Sequence, residues 1–173
     1  MKLCETTKKL MVAFSGPSNS GKTTLIVKIA QLLKQKYKKK VVILKHDPKN
    51  KARFDVKGKD SYKFFDCGAD VVVTSPSRTT YFAQDAKDLS TIIEMIGLFD
   101  ILLIEGHKDF QVPRIGVFHQ SIEESYLRFV DAVATDEKAS NFELLNKQKN
   151  VTILKLDDLD QILNWICKNA KEI

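Results

Sequence analysis

The sequence is poor in the residues that announce several common classes of protein. Its three cysteines, Cys4, Cys67 and Cys167, are odd in number and scattered, with no CxxC pair and no Cys/His cluster. A zinc site or a disulfide framework is therefore not expected, and Cys67 and Cys167, which fall in helical patterns, read as small buried hydrophobes. No apolar run approaches the roughly 18–20 residues of a membrane span. The first nine residues are polar and basic and lack the apolar core of a signal peptide, so the expectation is a cytoplasmic protein with no membrane role. Internal repeats, low-complexity tracts and linkers are absent, which leaves one nucleotide-binding-sized domain over 1–173. Arginine is scarce: among 28 basic residues only Arg53, Arg78, Arg114 and Arg128 occur. The net charge of +6 thus rests on lysine. Such surfaces are usually solvated, and nucleic acid is not expected as a partner. The basic density peaks between Lys45 and Lys63, which favours a small anionic ligand.

What is present is an apolar run, Leu10 to Phe14, followed by Gly16-Pro-Ser-Asn-Ser-Gly-Lys-Thr23 and then a helical pattern. This is G-x-x-x-x-G-K-T in its required context: strand, glycine-rich turn, helix N-terminus. Backbone N–H groups of the turn and the positive end of the helix dipole converge where an anion can sit. Lys22 can reach the β- and γ-phosphates of a nucleotide, and the Thr23 hydroxyl can join a Mg²⁺ shell.

The remaining pattern alternates strands and helices. Leu25, Ile26, Ile29, Ala30, Leu32 and Leu33 line one face of a helix over 21–37. Short apolar runs predict strands at 41–44, 71–73, 100–105, 115–118, 132–134 and 151–156, with an edge-like strand at 79–82. Helices are predicted from Asp60 or Ser61 to Cys67, ended by Gly68, at 89–99, at 141–147, and from Leu159 onward, the last capped by Asp157 or Asp158. The fold class is α/β: a three-layer, P-loop NTPase-like arrangement with a mostly parallel sheet flanked by helices. Ligands of such sheets bind at the C-terminal strand ends. That selects the loop after Phe14, Lys45–Asp47, Thr74–Arg78, Glu105–Lys108 and Thr135–Asp136.

Asp100 and Glu105 bracket one strand, and five residues of strand span roughly 16 Å. Only one end can lie beside the phosphate loop, and parallelism assigns Glu105 there, as a metal ligand or as a base; the residue types allow both. Asp55 is a second metal candidate, chemically no better than Asp47 or Asp60. His46 and His107 both fall at strand ends and could orient a phosphate or a base. His119 has no such support. Ser15, Ser18 and Ser20 lack a G-x-S-x-G elbow or a partnered His/Asp set and read as phosphate-loop hydroxyls. The guanine-reading Asn-Lys-x-Asp element is absent, since Asn146-Lys-Gln-Lys149 ends in lysine. Asp136 could accept hydrogen bonds from a guanine edge.

Taken in order, Gly16–Thr24, Lys45-His46, Asp55-x-x-Gly58-Lys-Asp-Ser61, Gly68-Ala69, Ser75-x-x-Arg78, Asp100-x-x-x-x-Glu105-Gly106-x-Lys108 and Ala134-Thr-Asp136 closely resemble the MobB family, the molybdopterin-guanine dinucleotide biosynthesis adapter proteins. The resemblance spans residues 10–166. It implies a homodimeric GTP-binding adapter with weak GTPase activity that assists a MobA-like molybdopterin guanylyltransferase. It implies GTP phosphates held by Gly16, Pro17, Ser18, Asn19, Ser20, Gly21, Lys22, Thr23 and Thr24. Mg²⁺ would lie at Thr23, Asp55 and Glu105, with Lys22, Asp55 and Glu105 serving hydrolysis. Lys59, Asp60, Arg78 and Lys108 match positions on the same face, and Asp136 one near the base. The alternative is a P-loop small-molecule kinase, which predicts arginines on a closing lid; the four scattered arginines weigh against it.

Overall fold

The computed structural model describes residues 8–173. In chain order, Leu10–Ser15 forms β1, Lys22–Gln35 α1 and Val41–Lys45 β2. Asp60–Asp66 (α2), Val71–Ser75 (β3), Arg78–Phe82 (β4) and Leu89–Ile96 (α3) follow. Then come Ile101–Glu105 (β5), Arg114–Phe118 (β6), Glu124–Leu127 (α4), Ala132–Thr135 (β7), a 3₁₀ segment Phe142–Lys147, Thr152–Lys155 (β8), Leu159–Asn169 (α5) and Lys171–Glu172 (β9). The sequence reads as one domain over 1–173; the chain packs into two compact units, Met1–His46 with Leu98–Ile173, and Asp47–Gly97.

The first unit is built on a sheet in the order β2-β5-β1-β6-β7-β8, all parallel, with β9 antiparallel to β1. Every residue of β1 is buried, as are four of the five in β5. Near-continuous apolar runs are what a parallel strand covered on both faces requires. On one face α1 contributes Leu25, Ile26, Ile29 and Leu33, and α5 contributes Ile162, Leu163 and Ile166, packed on Val12, Phe14, Leu103 and Ile115. Phe118 and Val133 pack with Ile122, Leu127, Val130 and Leu145 in a second cluster. Each such side chain taken from water stabilises the fold by about 1.5–3 kcal/mol. The expected α/β architecture, a mostly parallel sheet flanked by helices, is the one observed.

Because all these strands run in parallel, the C-terminal ends of β1, β2 and β5 lie side by side: Phe14 is level with Glu105, and Lys45 with Glu105. The opposite rim is closed by Asp100, whose carboxylate accepts the Lys40 N–H (2.6 Å) and pairs with Lys39 (3.1 Å). The backbone hydrogen bond from Lys40 is the main reason its carboxyl lies below the usual range. The expected assignment of Asp100 to the far rim and Glu105 to the ligand rim matches this geometry.

The second unit holds α2, an antiparallel β3–β4 hairpin and α3. The predicted strands at 71–73 and 79–82 thus pair with each other in a sheet of their own, because a two-residue turn, Pro76-Ser77, joins them. The helix at 60 starts without a side-chain cap: Lys59 occupies the cap position and Asp60 lies in the first turn, so neither Asp60 nor Ser61 plays the expected capping part. Gly68, at φ 93°, ends that helix as expected. The expectation that Cys67 is buried fails, since it is exposed at the helix end with its Sγ turned to the Phe64 carbonyl. Cys167 is half-buried against the main cluster, as expected, but it is disulfide-bonded, which the scattered cysteines had not suggested. Among the described residues, no helix is long and apolar enough to cross a membrane.

Candidate functional site: a phosphate loop with a carboxylate beside it

The turn after β1 needs its glycines. Gly16 has φ 148°, and a Cβ there would meet the Val117 carbonyl oxygen at 2.4 Å. Gly21, at φ 89°, is the residue from which α1 springs, so the first helical N–H groups open toward the loop without a capping side chain. Lys22 folds back over the turn. Its Nζ donates to the Gly16 carbonyl (3.0 Å), the Pro17 carbonyl and Ser20 Oγ (3.4 Å). Burial, and secondarily the Lys45 charge, push the Lys22 pKa below its ordinary value, while Glu105 opposes that. An anion bound beside this ammonium would offset the desolvation.

Glu105 is the counterpart at the end of β5. Its side chain is only 14% exposed, and Oε1 lies 3.1 Å from Lys45 Nζ. Thr23 Oγ1 stands 3.4 Å from both Glu105 oxygens. A hydroxyl and a carboxylate, both hard oxygens, thus converge at the mouth of the loop. An open cavity of about 470 Å³ is lined by 18–24 of the loop together with Lys45 and Glu105. Its size suits the phosphate part of a nucleotide. Among the described residues no group of three or more His, Cys, Asp and Glu gathers into a protein-only metal cage. Magnesium seldom uses one; it takes one or two protein oxygens and completes its octahedron with phosphates and water, so Thr23 and Glu105 fit it.

Of the residues expected at the site, Ser18, Asn19, Ser20, Gly21, Lys22, Thr23, Thr24 and Glu105 line this cavity, while Gly16 and Pro17 form the turn that Lys22 binds. Lys108 does not line it; its ammonium lies 4.1 Å from the Tyr126 ring, in a separate cavity shared with Arg114 and Arg128. Asp136, half-buried at the end of β7, lines neither, and its carboxylate accepts the Lys138 N–H at 3.0 Å. Asp55 and Arg78 belong to the second unit. The Asp55 carboxylate accepts the adjacent Val56 N–H (2.8 Å), and Arg78 opens β4, its carbonyl accepting from Ser75 Oγ (3.1 Å). His46 and His107 meet each other, with ring centroids 4.1 Å apart, and neither lines the phosphate cavity.

Two contributors escaped the sequence reading. Lys45 reads from the sequence as a strand-end residue in the basic stretch and part of the Lys45-His46 motif, with no pairing to Glu105; in the structure its ammonium lies 3.1 Å from Glu105 Oε1. Arg114 is 2% exposed and ties the turns together. Its guanidinium donates to Ser15 Oγ (2.9 Å) and to the carbonyls of Gly106 (2.7 Å), His107 (2.7 Å) and Phe110 (3.2 Å). It thereby braces the turn after Glu105 against the end of β1. The one local signal was an arginine opening an otherwise apolar strand.

The family model for molybdopterin guanine dinucleotide synthesis protein B matches residues 11–136, more than half of the chain. A Methanocaldococcus jannaschii protein assigned as a molybdopterin-guanine dinucleotide biosynthesis adapter is 33% identical over 111 residues, which is 61% of this chain and 45% of that protein. The chain therefore spans about half the length of this curated relative. The crystal structure of a molybdopterin-guanine biosynthesis protein B aligns over 92% of the chain and 97% of its own length, with a TM-score of 0.67 and 25% identity. Bacillus subtilis MobB aligns over 94% and 98%, with a TM-score of 0.72; at 24% identity it speaks for the fold alone. With the phosphate loop, Glu105 and the parallel sheet in place, and a family model spanning most of the chain, the protein belongs to the MobB family of molybdopterin guanine dinucleotide synthesis proteins.

Proposed function

We propose that the protein binds GTP with Mg²⁺ and acts as an adapter for a MobA-like guanylyltransferase that joins GMP to molybdopterin, hydrolysing GTP only slowly. The observation that carries the reading is the convergence of Lys22, Thr23, Lys45 and Glu105 on the cavity at the phosphate loop. In this reading the backbone N–H groups of Gly16–Thr24 and the Lys22 ammonium hold the β- and γ-phosphates. Thr23 and Glu105 would hold Mg²⁺, which when bound would neutralise charge on the phosphates. Lys45, 3.1 Å from Glu105 Oε1, adds a cation to the phosphate face. Asp55 as a further metal partner, and Arg78, Lys108 and Asp136 as further nucleotide contacts, rest on motif order alone.

Slow hydrolysis is supported by what lines the cavity: it holds no arginine, the residue that most often stabilises phosphoryl-transfer charge. A homodimer is supported by the second unit, where Phe54, Val56, Phe64, Val72 and Val73 stand exposed, Phe54 to 83%. Calorimetric titration with GTP, GDP and ATP in the presence of Mg²⁺ tests the nucleotide. GTP bound in preference to ATP is expected, and a preference for ATP would sink the guanine assignment. Co-purification with the guanylyltransferase, with and without GTP, tests the adapter role.

A further inference from the structure

The phosphate cavity explains how a triphosphate is held, not how a base is chosen, and the sequence carries no Asn-Lys-x-Asp element to choose it. A second cavity opens beside the first. It has a volume of about 220 Å³ and is lined by Gly21, Thr24, Leu25, Lys28, His119, Leu156 and Asp157. That is below the roughly 300–1,000 Å³ of a pocket for a whole ligand and suited to one part of it. Gly21 and Thr24 line both cavities, so the second adjoins the loop that would carry the phosphates.

We infer that this second cavity holds the nucleobase and that Asp157, with Lys28, selects guanine there. The inference rests on the proposed GTP reading and gives it a base-reading residue. Leu156 and His119 stand at the ends of β8 and β6, and Leu25 is a buried residue in the first turns of α1. Together they offer apolar and aromatic surface to the faces of a planar ring. Asp157 offers the edge contact. Two acids sit side by side after β8, and the fold uses them differently. Asp158 caps α5, its Oδ1 accepting the Gln161 N–H at 2.8 Å. Asp157 makes no hydrogen bond or ion pair among the described residues, and neither does Lys28. Asp136, by contrast, is turned onto the Lys138 N–H.

The chemistry follows from the donor inventory. An ionised carboxylate only accepts and an ammonium only donates. The guanine edge presents two adjacent donors, N1–H and the 2-amino group, beside the O6 acceptor. Adenine places an acceptor at N1 and a donor at N6, so it would set a lone pair against Asp157 and N–H bonds against Lys28. Asp157 and Lys28 are exposed in the free chain, and a base that covers them without matching their hydrogen bonds leaves both unpaired, so a site that fits one edge rejects the other.

Replacing Asp157 by Asn tests this through xanthosine triphosphate, whose 2-oxo group calls for a donor where guanine calls for an acceptor. Calorimetry on the folded chain, with thermal melting as the folding control, should show GTP affinity falling about 10- to 100-fold in D157N. Xanthosine triphosphate affinity should rise, while affinity for inorganic tripolyphosphate, which reads only the loop, stays unchanged. Asp157→Ala should lose GTP preference without gaining the xanthine nucleotide. Unchanged discrimination in D157N overturns the inference, as does transfer of the swap to Asp136→Asn. Failure of the wild-type chain to prefer GTP over ATP would instead sink the underlying GTP reading, whatever the variants do.

Discussion

The two units of the chain are held together by opposite means. In the first, β1, β5, β6 and β7 are buried almost throughout, and even an arginine is drawn into the interior. In the second, α2 and α3 bury no residue and β3 buries only Val71. Its cohesion comes from surface hydrogen bonds. Asp70 accepts from the Tyr81 hydroxyl and the Gln84 N–H (2.8 Å), and the Gln84 amide donates to the carbonyls of Phe65 (2.6 Å) and Ala69 (3.1 Å). Exposed hydrogen bonds and little apolar burial place an element at the low end of local stability. The phosphate loop therefore stands on the more deeply buried unit, where a site can be held to fractions of an ångström, and the other unit leaves Phe54, Val56, Phe64, Val72 and Val73 exposed.

The comparison breaks most directly at Arg114. Replacing it with methionine keeps length but leaves three part-buried carbonyls, of Gly106, His107 and Phe110, without their donor. A carbonyl that loses its donor costs about 1–3 kcal/mol where water is excluded, so about 3 kcal/mol is expected for the three together. The denaturation midpoint should fall accordingly, by about 10 °C in Tm, and the turn carrying Glu105 should loosen with it. A loss below 1 kcal/mol would mean that the first unit does not depend on this brace.

Lys22→Ala separates binding from folding within the same unit. Lys22 bonds to loop carbonyls and touches none of the core clusters, so the Tm without nucleotide should move by no more than the change of an ordinary surface residue. Triphosphate affinity should drop by about 100-fold, measured by calorimetry. An equal loss of folding would contradict the assignment of Lys22 to the ligand. Glu105→Gln is milder: it keeps the shape and removes the charge facing Thr23 and Lys45. The Mg²⁺ dependence of GTP binding should weaken by about tenfold, while binding in excess chelator stays as in the wild type.

A pH titration of stability sharpens the same contrast. His107 has its pKa pushed below the ordinary 6.5, first by burial and then by the charge of His46. A base whose folded pKa is depressed binds fewer protons folded than unfolded, so its contribution is fully present above pH 6.5 and lost as pH falls below it. Denaturation midpoints should decline between pH 7 and 5. His107→Asn should flatten that decline, and an unchanged slope would assign it to other groups. Since the His46 ring lies tilted against His107 and the Phe110 ring stacks on it, each with centroids 4.1 Å away, the effect belongs to the first unit.

What was legible in the sequence follows the same division. Apolar runs marked every long strand of the main sheet, because burial on both faces leaves little freedom in residue type. The loop at Gly16–Thr23 and the placing of Glu105 over Asp100 came from motif and parallelism. Local pattern was silent where distant partners decide. Arg114 and Lys45 act through groups 4–99 and 60 residues away in the chain. The β3–β4 pair looks like two more strands of an alternating fold until its turn joins them. Neither the four-residue α4 nor the two-residue β9 has a period to read. Asp157 was hidden by its neighbour: two adjacent acids are equally good caps on paper, and only geometry assigns the cap to Asp158.

The smallest effect on folding is expected in the second unit. Val72 is 58% exposed on β3, opposite Tyr81 across the hairpin. Threonine there keeps the β-branched shape and adds a hydroxyl that water can satisfy. Within the monomer the change should stay inside ±0.5 kcal/mol by denaturant titration. If that surface is covered in a homodimer, the same substitution buries an unmatched hydroxyl at the interface, and sedimentation equilibrium should show a weaker dimer although the monomer is unharmed. A shift of the dimer constant with no shift in monomer stability would give the second unit's open face its purpose. A shift in neither would return that face to the solvent and leave the dimer surface to be sought on the first unit instead.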